Sequence, residues 1–258
     1  MDHLKRVREE FRRQAETFDT FAQKTDENVA ARFAAALREA GQGNLLDVAC
    51  GPGVVTAALA PQAKSVVAFD ATQEMLEKAE ARCAKAGLTN VSFRQGNAEA
   101  LPFGDGEFDG VVTRLAVHHF AGPQRAFGEM IRVLRPGGIA VIVDVVASED
   151  AHEERLQNAI ERLRDPSHVR MLPASELDRC IADAGFVDLA PTTWDKDREF
   201  EEWMDIVNDP ARAEPIRIVV QALAEAGRNA GMGLSIKDNA IVFFHRWRLV
   251  KALKPPHH

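Results

Sequence analysis

The pattern of apolar and polar positions divides this chain into three stretches. Near the start, apolar residues recur at helical spacing with charged residues between them, which predicts an amphipathic helix. These residues are Leu4, Val7, Phe11, Phe18 and Ala22. Between residues 44 and 146, short apolar runs alternate with helical patterns, and such alternation is typical of parallel strands joined by crossover helices. Beyond residue 147 the alternation loosens until a final long apolar strand over residues 240–250.

The alternating stretch predicts an α/β fold in which the apolar runs are buried strands. These runs are residues 45–49, 66–69, 91–93, 108–113 and 139–143. Thr72 is expected to cap the helix after the second strand, and Ser175 is expected to cap a helix in the last third of the chain. Residues 186–193 predict one further strand, and residues 196–236 contain helical segments.

Composition narrows the class of protein. The chain has 258 residues, 46% hydrophobic and 28% charged, which is the balance of a globular protein. Its apolar runs are shorter than the roughly 18 residues of a membrane span, and its charged start lacks the apolar region of a secretory signal, so we expect a cytoplasmic protein without a membrane partner. With 32 basic and 39 acidic side chains, the net charge of −7 argues against nucleic acid as partner.

Two residue types limit the chemistry. The three cysteines, Cys50, Cys83 and Cys180, have spacings that match no metal motif, so we expect reduced thiols and no metal site. Tyrosine is absent, so a tyrosyl phenol is excluded as acid or base.

The first apolar strand runs directly into a glycine turn, Asp47-Val48-Ala49-Cys50-Gly51-Pro52-Gly53. Glycines at such a turn let the backbone approach a bound cofactor closely. Asp70 follows at the end of the second strand, where a carboxylate can accept both hydroxyls of a ribose. A nicotinamide-dependent oxidoreductase begins in the same way, but the third glycine of its motif would fall at Thr56.

Two more polar segments follow later strands. Residues 96–103, Gly-Asn-Ala-Glu-Ala-Leu-Pro-Phe, come after the third strand, and residues 113–120, Thr-Arg-Leu-Ala-Val-His-His-Phe, come after the fourth. An open parallel sheet binds its ligands at the carboxyl ends of its strands. The sequence therefore predicts that all four segments meet at one ligand-binding edge.

Together these motifs resemble a class I S-adenosylmethionine-dependent methyltransferase of the type 11 branch, which includes the ubiquinone/menaquinone methyltransferases. The resemblance covers about residues 45–146 and includes Asn97-Ala98-Glu99 with Leu101-Pro102-Phe103, and Leu134-Arg135-Pro136-Gly137-Gly138. It implies a doubly wound, mostly parallel, seven-stranded Rossmann-like sheet with an antiparallel last strand and a helical lid. It also implies S-adenosyl-L-methionine as cofactor.

The resemblance further implies which residues bind that cofactor. Gly51 and Gly53 would lie against its methionine part, Asp70 would hold the ribose, and Met75 and Ala98 would contact the adenine. The full expected set is Asp47, Ala49, Gly51, Gly53, Asp70, Ala71, Met75, Asn97, Ala98 and Arg114. The family usually has aspartate where this chain has Asn97, and its amide oxygen accepts the same hydrogen bond without the charge, at a cost of about 1 kcal/mol.

The candidate catalytic residues follow the fourth strand. They are Arg114, His118 and His119, of which a histidine could take a proton near neutral pH and Arg114 could anchor an anionic substrate group. A histidine that caps local backbone and one that is solvated remain alternatives. Asp144 after the fifth strand is a further candidate contact, and His168 and Arg170 could line a substrate pocket or simply bond at the surface.

The leading hypothesis is an enzyme that methylates a small molecule by direct displacement at the sulfonium methyl. A non-catalytic S-adenosylmethionine-binding protein and an NAD-dependent oxidoreductase are the alternatives. We expect a monomer or homodimer with an N-terminal helical lid over residues 1–40, a cofactor-binding core over residues 41–147, and completion of the sheet with substrate-lid insertions over residues 148–258. The three tryptophans are expected in the core of the lid.

Overall fold

The computed structural model describes residues 3–24, 29–38, 43–207 and 209–256 of the chain. They form one mixed β-sheet with helices on both faces. The strands are β1 Asn44–Val48, β2 Ser65–Asp70, β3 Val91–Gln95, β4 Phe108–Arg114, β5 Leu134–Val146, β6 Val187–Glu199, β7 Ser235–Lys237 and β8 Ala240–Leu253. The helices are α1 His3–Lys24, α2 Val29–Ala36, α3 Val54–Leu59, α4 Gln73–Lys85, α5 Pro123–Val133, α6 Ala151–Arg164, α7 Ala174–Asp183, α8 Phe200–Met204 and α9 Pro210–Glu225.

The strand order is β3-β2-β1-β4-β5-β8-β6, and the short β7 pairs beside this path with the start of β8. All pairs among β1 to β5 are parallel, whereas β8 lies antiparallel to β5, β6 and β7. The predicted mostly parallel sheet with an antiparallel last strand is therefore confirmed. Parallel pairing brings the carboxyl ends of β1 to β4 to one edge, which is where the candidate residues lie.

Side-chain alternation along the central strand explains why both sheet faces are covered. In β5, Ala140 and Ile142 belong to one buried apolar cluster, and Val141 and Val143 belong to the cluster on the opposite face. Helices α5 and α7 contribute to the first cluster, and α2 and α3 contribute to the second. A strand segment buried on both faces reads as a continuous apolar run, as residues 139–143 of β5 do.

A third apolar cluster lies outside the sheet. It joins α6, α8 and α9 to the start of β8, and it includes Ile160, Trp203, Ile216 and Phe243. The expected helical segments after residue 147 thus form a small core of their own. The tryptophan prediction was wrong for two of three residues, because Trp194 and Trp247 lie on β6 and β8, where their rings are 5.9 Å apart.

Local predictions were corrected at two places. Helix α7 begins one residue before the expected cap, with Pro173 at the N-cap, because the hydroxyl of Ser175 donates to Glu149 at 2.6 Å instead. Strand β5 begins at Leu134, directly after α5, and includes the Pro-Gly-Gly segment that precedes the predicted run of residues 139–143. Here Gly137 has φ of 72°, a conformation that glycine adopts without strain.

One expectation concerns side chains that the structure does not describe, and another concerns membrane-spanning helices. Phe18 and Ala22 fall on α1 as expected, but their side chains are outside the described residues. Within the described ranges, no helix combines the length and the apolar character needed to span a bilayer.

Candidate functional site

A cavity of about 450 Å³ lies at the carboxyl edge of the parallel strands, and we name it the first cavity. Strand ends and the loops that follow them form one side, and the first turns of α1 contribute the rest of the wall. The lining includes these predicted residues: Asp47, Ala49, Gly51, Asp70, Ala71, Met75, Asn97, Ala98, Arg114 and His119. The structure therefore brings together residues from four separate strand ends.

The two glycines of the turn have different surroundings. Gly51 lines the first cavity, has φ of 52°, and donates its N–H to Asp70 Oδ2 at 2.9 Å. Gly53 does not belong to the lining; it has φ of 77°, and a Cβ there would lie 2.7 Å from the Cβ of Ala79 on α4. Gly51 thus lets the backbone face the cavity, whereas Gly53 lets the turn pack against a helix.

Asp70 is held in place by backbone donors. Besides the Gly51 bond, its Oδ1 accepts the N–H of Thr72 at 2.8 Å, and the residue is 8% exposed. Burial raises the pKa of Asp70 and the backbone bonds oppose this shift, leaving it above its ordinary value. Each carboxylate oxygen keeps lone pairs for a ligand hydroxyl.

Asp47 is buried next to Asp70 at the end of β1. Burial raises the pKa of Asp47 to about 7, although Thr56 Oγ1 donates to Asp47 Oδ2 at 2.5 Å and opposes the shift. The hydroxyl of Thr56, at the position where a dinucleotide motif would have glycine, therefore holds the buried Asp47 carboxyl group in place. The two carboxyl groups give the first cavity an acidic floor that suits a ligand carrying positive charge.

Asn97, where the family usually has aspartate, lies in a turn that its own side chain stabilises. Asn97 Oδ1 accepts the N–H of Glu99 at 3.0 Å, and Glu99 in turn accepts the N–H of Gly122 at 2.8 Å and pairs with Arg125 at 2.8 Å. This carbonyl oxygen keeps its second lone pair, and the side chain lines the first cavity. The loop is thereby fixed before any ligand arrives.

Helix α1, part of the predicted N-terminal lid, supplies part of the wall of the first cavity. Leu4, Val7 and Phe11 line the first cavity, so the apolar stripe of the first helix faces the cavity. His3 Nε2–H donates to the carbonyl of His119 at 2.7 Å, and Arg8 donates to a carbonyl beyond β2 at 3.0 Å. The sequence predicted the stripe and a lid over residues 1–40, but it did not predict which residues of the stripe line the cavity.

A smaller cavity of about 80 Å³ adjoins the first, and we name it the second cavity. Leu115 and His119 line both cavities, so they form the boundary between them. Leu115 has φ of 51°, which is strained for a leucine and places it at the end of β4. The other lining residues include His118, Glu161, Arg164, Asp165, His168, Arg198, Trp203, His245 and Trp247.

His118 faces only the second cavity and is paired with Asp144 of β5. Asp144, 2% exposed, accepts the backbone N–H of His118 at 2.9 Å and contacts its Nδ1 at 2.6 Å. A carboxylate partner places the proton on Nδ1 and leaves Nε2 with a lone pair. Burial lowers the pKa of His118, but Asp144 more than offsets this and leaves the pKa above 6.5.

His119 is held by a different chain of contacts. Ser167 Oγ donates to Asp165 Oδ1 at 2.6 Å, so its contact with His119 Nδ1 at 3.1 Å is one in which the ring N–H donates. Burial and the neighbouring His118 lower the pKa of His119 to about 4. His119 is therefore a neutral imidazole at the boundary between the two cavities.

The two later candidates differ in location. His168 lines the second cavity, where its Nε2–H donates to Asn158 Oδ1 at 2.8 Å and burial lowers its pKa to about 3. Arg170 is outside the lining and bonds to Glu154 and Glu176, each at 2.8 Å. The structure thus separates a cavity histidine from an arginine that ties α6 to α7.

Charged residues from distant parts of the chain also meet in the lining of the second cavity. Glu161 Oε1 accepts Nε2–H of His245 at 3.0 Å, and its Oε2 lies 3.4 Å from Arg164. Arg198 Nε donates to His245 Nδ1 at 3.4 Å. These residues come from α6, β6 and β8, and no short motif marks them in the sequence.

The residues around the first cavity fit the cofactor that the sequence implied. The lining of this cavity also includes Thr72, the N-cap residue of α4. Carboxylates, glycine backbone and a buried Met75 suit a ligand with a ribose, a base and a positive charge. Within the described part of the chain, no group of three acidic, histidine or cysteine side chains could hold a metal ion.

A parallel sheet that opens on this turn, with acidic groups at the ends of β1 and β2, is the arrangement expected of a methyltransferase that uses S-adenosylmethionine. Residues 46–142 match the model of the family described as "Methyltransferase domain". The uncharacterized methyltransferase YcgJ of Bacillus subtilis is 35% identical over 170 residues, which are 66% of this chain and 67% of YcgJ. The chain therefore belongs to this methyltransferase family, and its cofactor is S-adenosylmethionine.

Solved structures agree over a longer stretch. The crystal structure of YcgJ has a TM-score of 0.78 and 30% identity, and the match covers 86% of this chain and 97% of YcgJ. That of the BH2331 protein of Bacillus halodurans has a TM-score of 0.79 and 33% identity over 86% of this chain and 98% of the other. Family membership decides against the nicotinamide-dependent alternative.

Proposed function

We propose that this enzyme methylates a small molecule that occupies the second cavity, with the cofactor in the first. The observation that carries the proposal is the shared wall of Leu115 and His119, which sets the two cavities side by side. A cavity of about 80 Å³ admits a small acceptor group and is too narrow for a folded macromolecular surface. The described segments before residue 40 and after residue 147 act as lids that exclude water.

The proposed cofactor contacts follow the lining of the first cavity. Asp70 accepts the ribose hydroxyls, Met75 packs against the adenine, and Asn97 accepts from the exocyclic amine of the base. Gly51 allows close approach to the methionine part, and Arg114 lies at the end nearest the second cavity. S-adenosylmethionine bound there supplies an electrophilic sulfonium methyl, which an acceptor atom takes by direct displacement.

The proposed base is His118. Its Nδ1–H is committed to Asp144, so Nε2 is available in the second cavity to take the proton that a hydroxyl, amine or thiol acceptor loses. His119 has a pKa of about 4 and stays neutral, so it adds no positive charge beside the sulfonium. Asp144 acts as a positioning residue that fixes the tautomer.

The test offers methyl-labelled S-adenosylmethionine together with two fractions of a cell extract, one of molecules below about 3 kDa and one of macromolecules. We expect label to enter only the small-molecule fraction. Asp70→Ala and His118→Gln should each strongly lower the transfer, the first through lost cofactor affinity and the second with that affinity retained. Label that enters protein or nucleic acid instead would contradict the proposal.

A further inference from the structure

The two side chains that separate the cavities differ in kind. Of the described lining residues, Leu115 and His119 are the two that line both cavities. The His119 ring is held by its contact with Ser167 at 3.1 Å, and its backbone carbonyl accepts from His3 at 2.7 Å. Leu115 has an apolar side chain, so its part in the boundary depends on volume and shape rather than on hydrogen bonding.

The backbone of Leu115 has a conformation that leucine rarely adopts. Its φ of 51° lies in the left-handed region, which glycine enters freely but a bulky side chain enters at a cost. Such a conformation persists where the surrounding structure imposes it, and these conformations cluster at functional sites. The observed strain therefore makes Leu115 a candidate for a functional role.

Contacts on both sides of Leu115 impose this conformation. Its own N–H donates to the carbonyl of Val143 at 2.8 Å, directly beyond the pairing of β4 with β5. Three residues later, the N–H of His118 donates to Asp144 Oδ2 at 2.9 Å, and the His118 carbonyl accepts the N–H of Val169 at 2.9 Å. The chain turns between these fixed points, and Leu115 lies at the turn.

A glycine at position 115 would make the same turn without strain, but it would leave the boundary unfilled. The Leu115 side chain is half-buried and packs against the apolar cluster that includes Val143 and Trp247. Trp247 also lines the second cavity. The packing of Leu115 therefore holds its side chain at the place where the two cavities meet.

We propose that Leu115 is a specificity-determining residue, whose side chain leaves room at the boundary for a methyl group and excludes a longer alkyl group. This inference rests on the proposed function, since it requires the sulfonium in the first cavity and the acceptor in the second. In a direct displacement the transferred carbon lies between the sulfur and the attacking atom, so it sits at the boundary. Additional carbons on that group then meet Leu115.

The experiment compares S-adenosylmethionine with its S-ethyl and S-propyl homologues. Calorimetric titration into the full-length wild-type protein gives the affinity for each of them. We expect the S-propyl homologue to bind about 10-fold more weakly than S-adenosylmethionine, because forcing extra methylenes into a filled site is unfavourable, with the S-ethyl homologue between the two. A difference of less than about threefold would overturn the inference.

Two substitutions at the same position separate the side chain from the backbone. Leu115→Ala and Leu115→Gly both remove most of the side chain, but glycine also relieves the left-handed backbone. Both should remove most of the discrimination against the S-propyl homologue, whereas Leu115→Met, which has a similar volume, should retain most of it. If Leu115→Gly lost the discrimination and Leu115→Ala kept it, the backbone and not the side chain would be responsible, and the assignment would be overturned.

Leu223→Ala on α9 is the matched control. Leu223 is likewise half-buried against an apolar cluster, but it is outside the lining of both cavities, so its variant should discriminate as the wild type does. S-adenosylhomocysteine, which lacks the transferred group, reports whether the first cavity is intact in each variant. A substitution that merely loosens the fold would weaken binding of every ligand alike and leave the ratio of affinities unchanged.

The affinity for S-adenosylmethionine separates the two proposals. If the wild type binds it and does not discriminate against the longer homologues, the role of Leu115 is wrong and the methyltransferase assignment stands. If S-adenosylmethionine fails to bind, the proposed function fails as well. Should the variants of Leu115 not fold, the comparison of the three homologues in the wild-type protein still decides, since it requires no substitution.

Discussion

The two cavities that meet at His119 are lined by residues from different parts of the chain. The first is formed by the strand ends, the loops that follow them and the first turns of α1, and all of its lining residues lie before residue 126. The second is made of large charged and aromatic side chains that come mainly from α6, β6, α8 and β8. The comparison shows that cofactor binding is encoded locally, whereas acceptor binding depends on how distant segments pack.

This difference explains how much the sequence could predict. Gly51, Asp70 and Asn97 sit at fixed positions relative to strands that their own apolar neighbours reveal, so their meeting at one edge follows from parallel pairing. Arg198 and His245 meet only because β6 pairs with β8, where Lys196 is opposite His245. That register depends on the whole sheet, and no local pattern around Arg198 predicts it.

His118 and His119 illustrate the same limit within one strand end. Their location beyond β4 was predictable, but their different protonation was not. Asp144 on β5 raises the pKa of His118 above 6.5, whereas burial and the charge of His118 lower that of His119 to about 4. The adjacent residues are therefore suited to different tasks because of partners that are far away in the chain.

The largest expected effect belongs to the second cavity. His118→Gln should lower the rate of methyl transfer at least 100-fold, the scale of lost general base catalysis. Cofactor affinity should be unchanged, because His118 is outside the lining of the first cavity. Initial rates and calorimetric titration with S-adenosylhomocysteine measure the two quantities, with His152→Gln on the exposed face of α6 as control. If His118→Gln also lowered the affinity for S-adenosylhomocysteine, the two cavities would not act separately.

The next effect belongs to the first cavity. Asp70→Ala should weaken binding of S-adenosylhomocysteine about 30- to 100-fold, because hydrogen bonds to a charged acceptor are worth about 1.5–3 kcal/mol. Calorimetric titration measures the change. Asp183→Ala, which removes an exposed carboxylate at the end of α7, should bind as the wild type does. An Asp70→Ala protein of unchanged affinity would show that another group holds the ribose.

A comparison of Gly53 with Gly87 tests why the turn after β1 requires glycine at position 53. Gly53→Ala should destabilise the fold by about 2 kcal/mol more than Gly87→Ala, since both residues have positive φ but only Gly53 meets a neighbour, at 2.7 Å from Ala79. Urea unfolding of the two variants gives the difference. Equal destabilisation would mean that conformational freedom alone requires the glycine.

The smallest effect concerns pH and His168. Its folded pKa of about 3 lies below the ordinary value of 6.5, so stability is full above pH 6.5 and falls as the unfolded chain takes up a proton. Between pH 7.5 and 5.5 this loss is about 1.4 kcal/mol. His168→Gln should remove that part of the pH dependence in unfolding measurements. A variant with the wild-type slope would show that folding does not lower the pKa of His168.

The most direct test of the division between the cavities is a calorimetric titration of S-adenosylhomocysteine into three proteins: the wild type, Asp70→Ala and Arg198→Gln. Asp70 lines only the first cavity and Arg198 only the second. We predict tight binding to the wild type, a 30- to 100-fold loss for Asp70→Ala, and an unchanged affinity for Arg198→Gln. Equal losses in both variants, or no binding to the wild type, would contradict this division of the site.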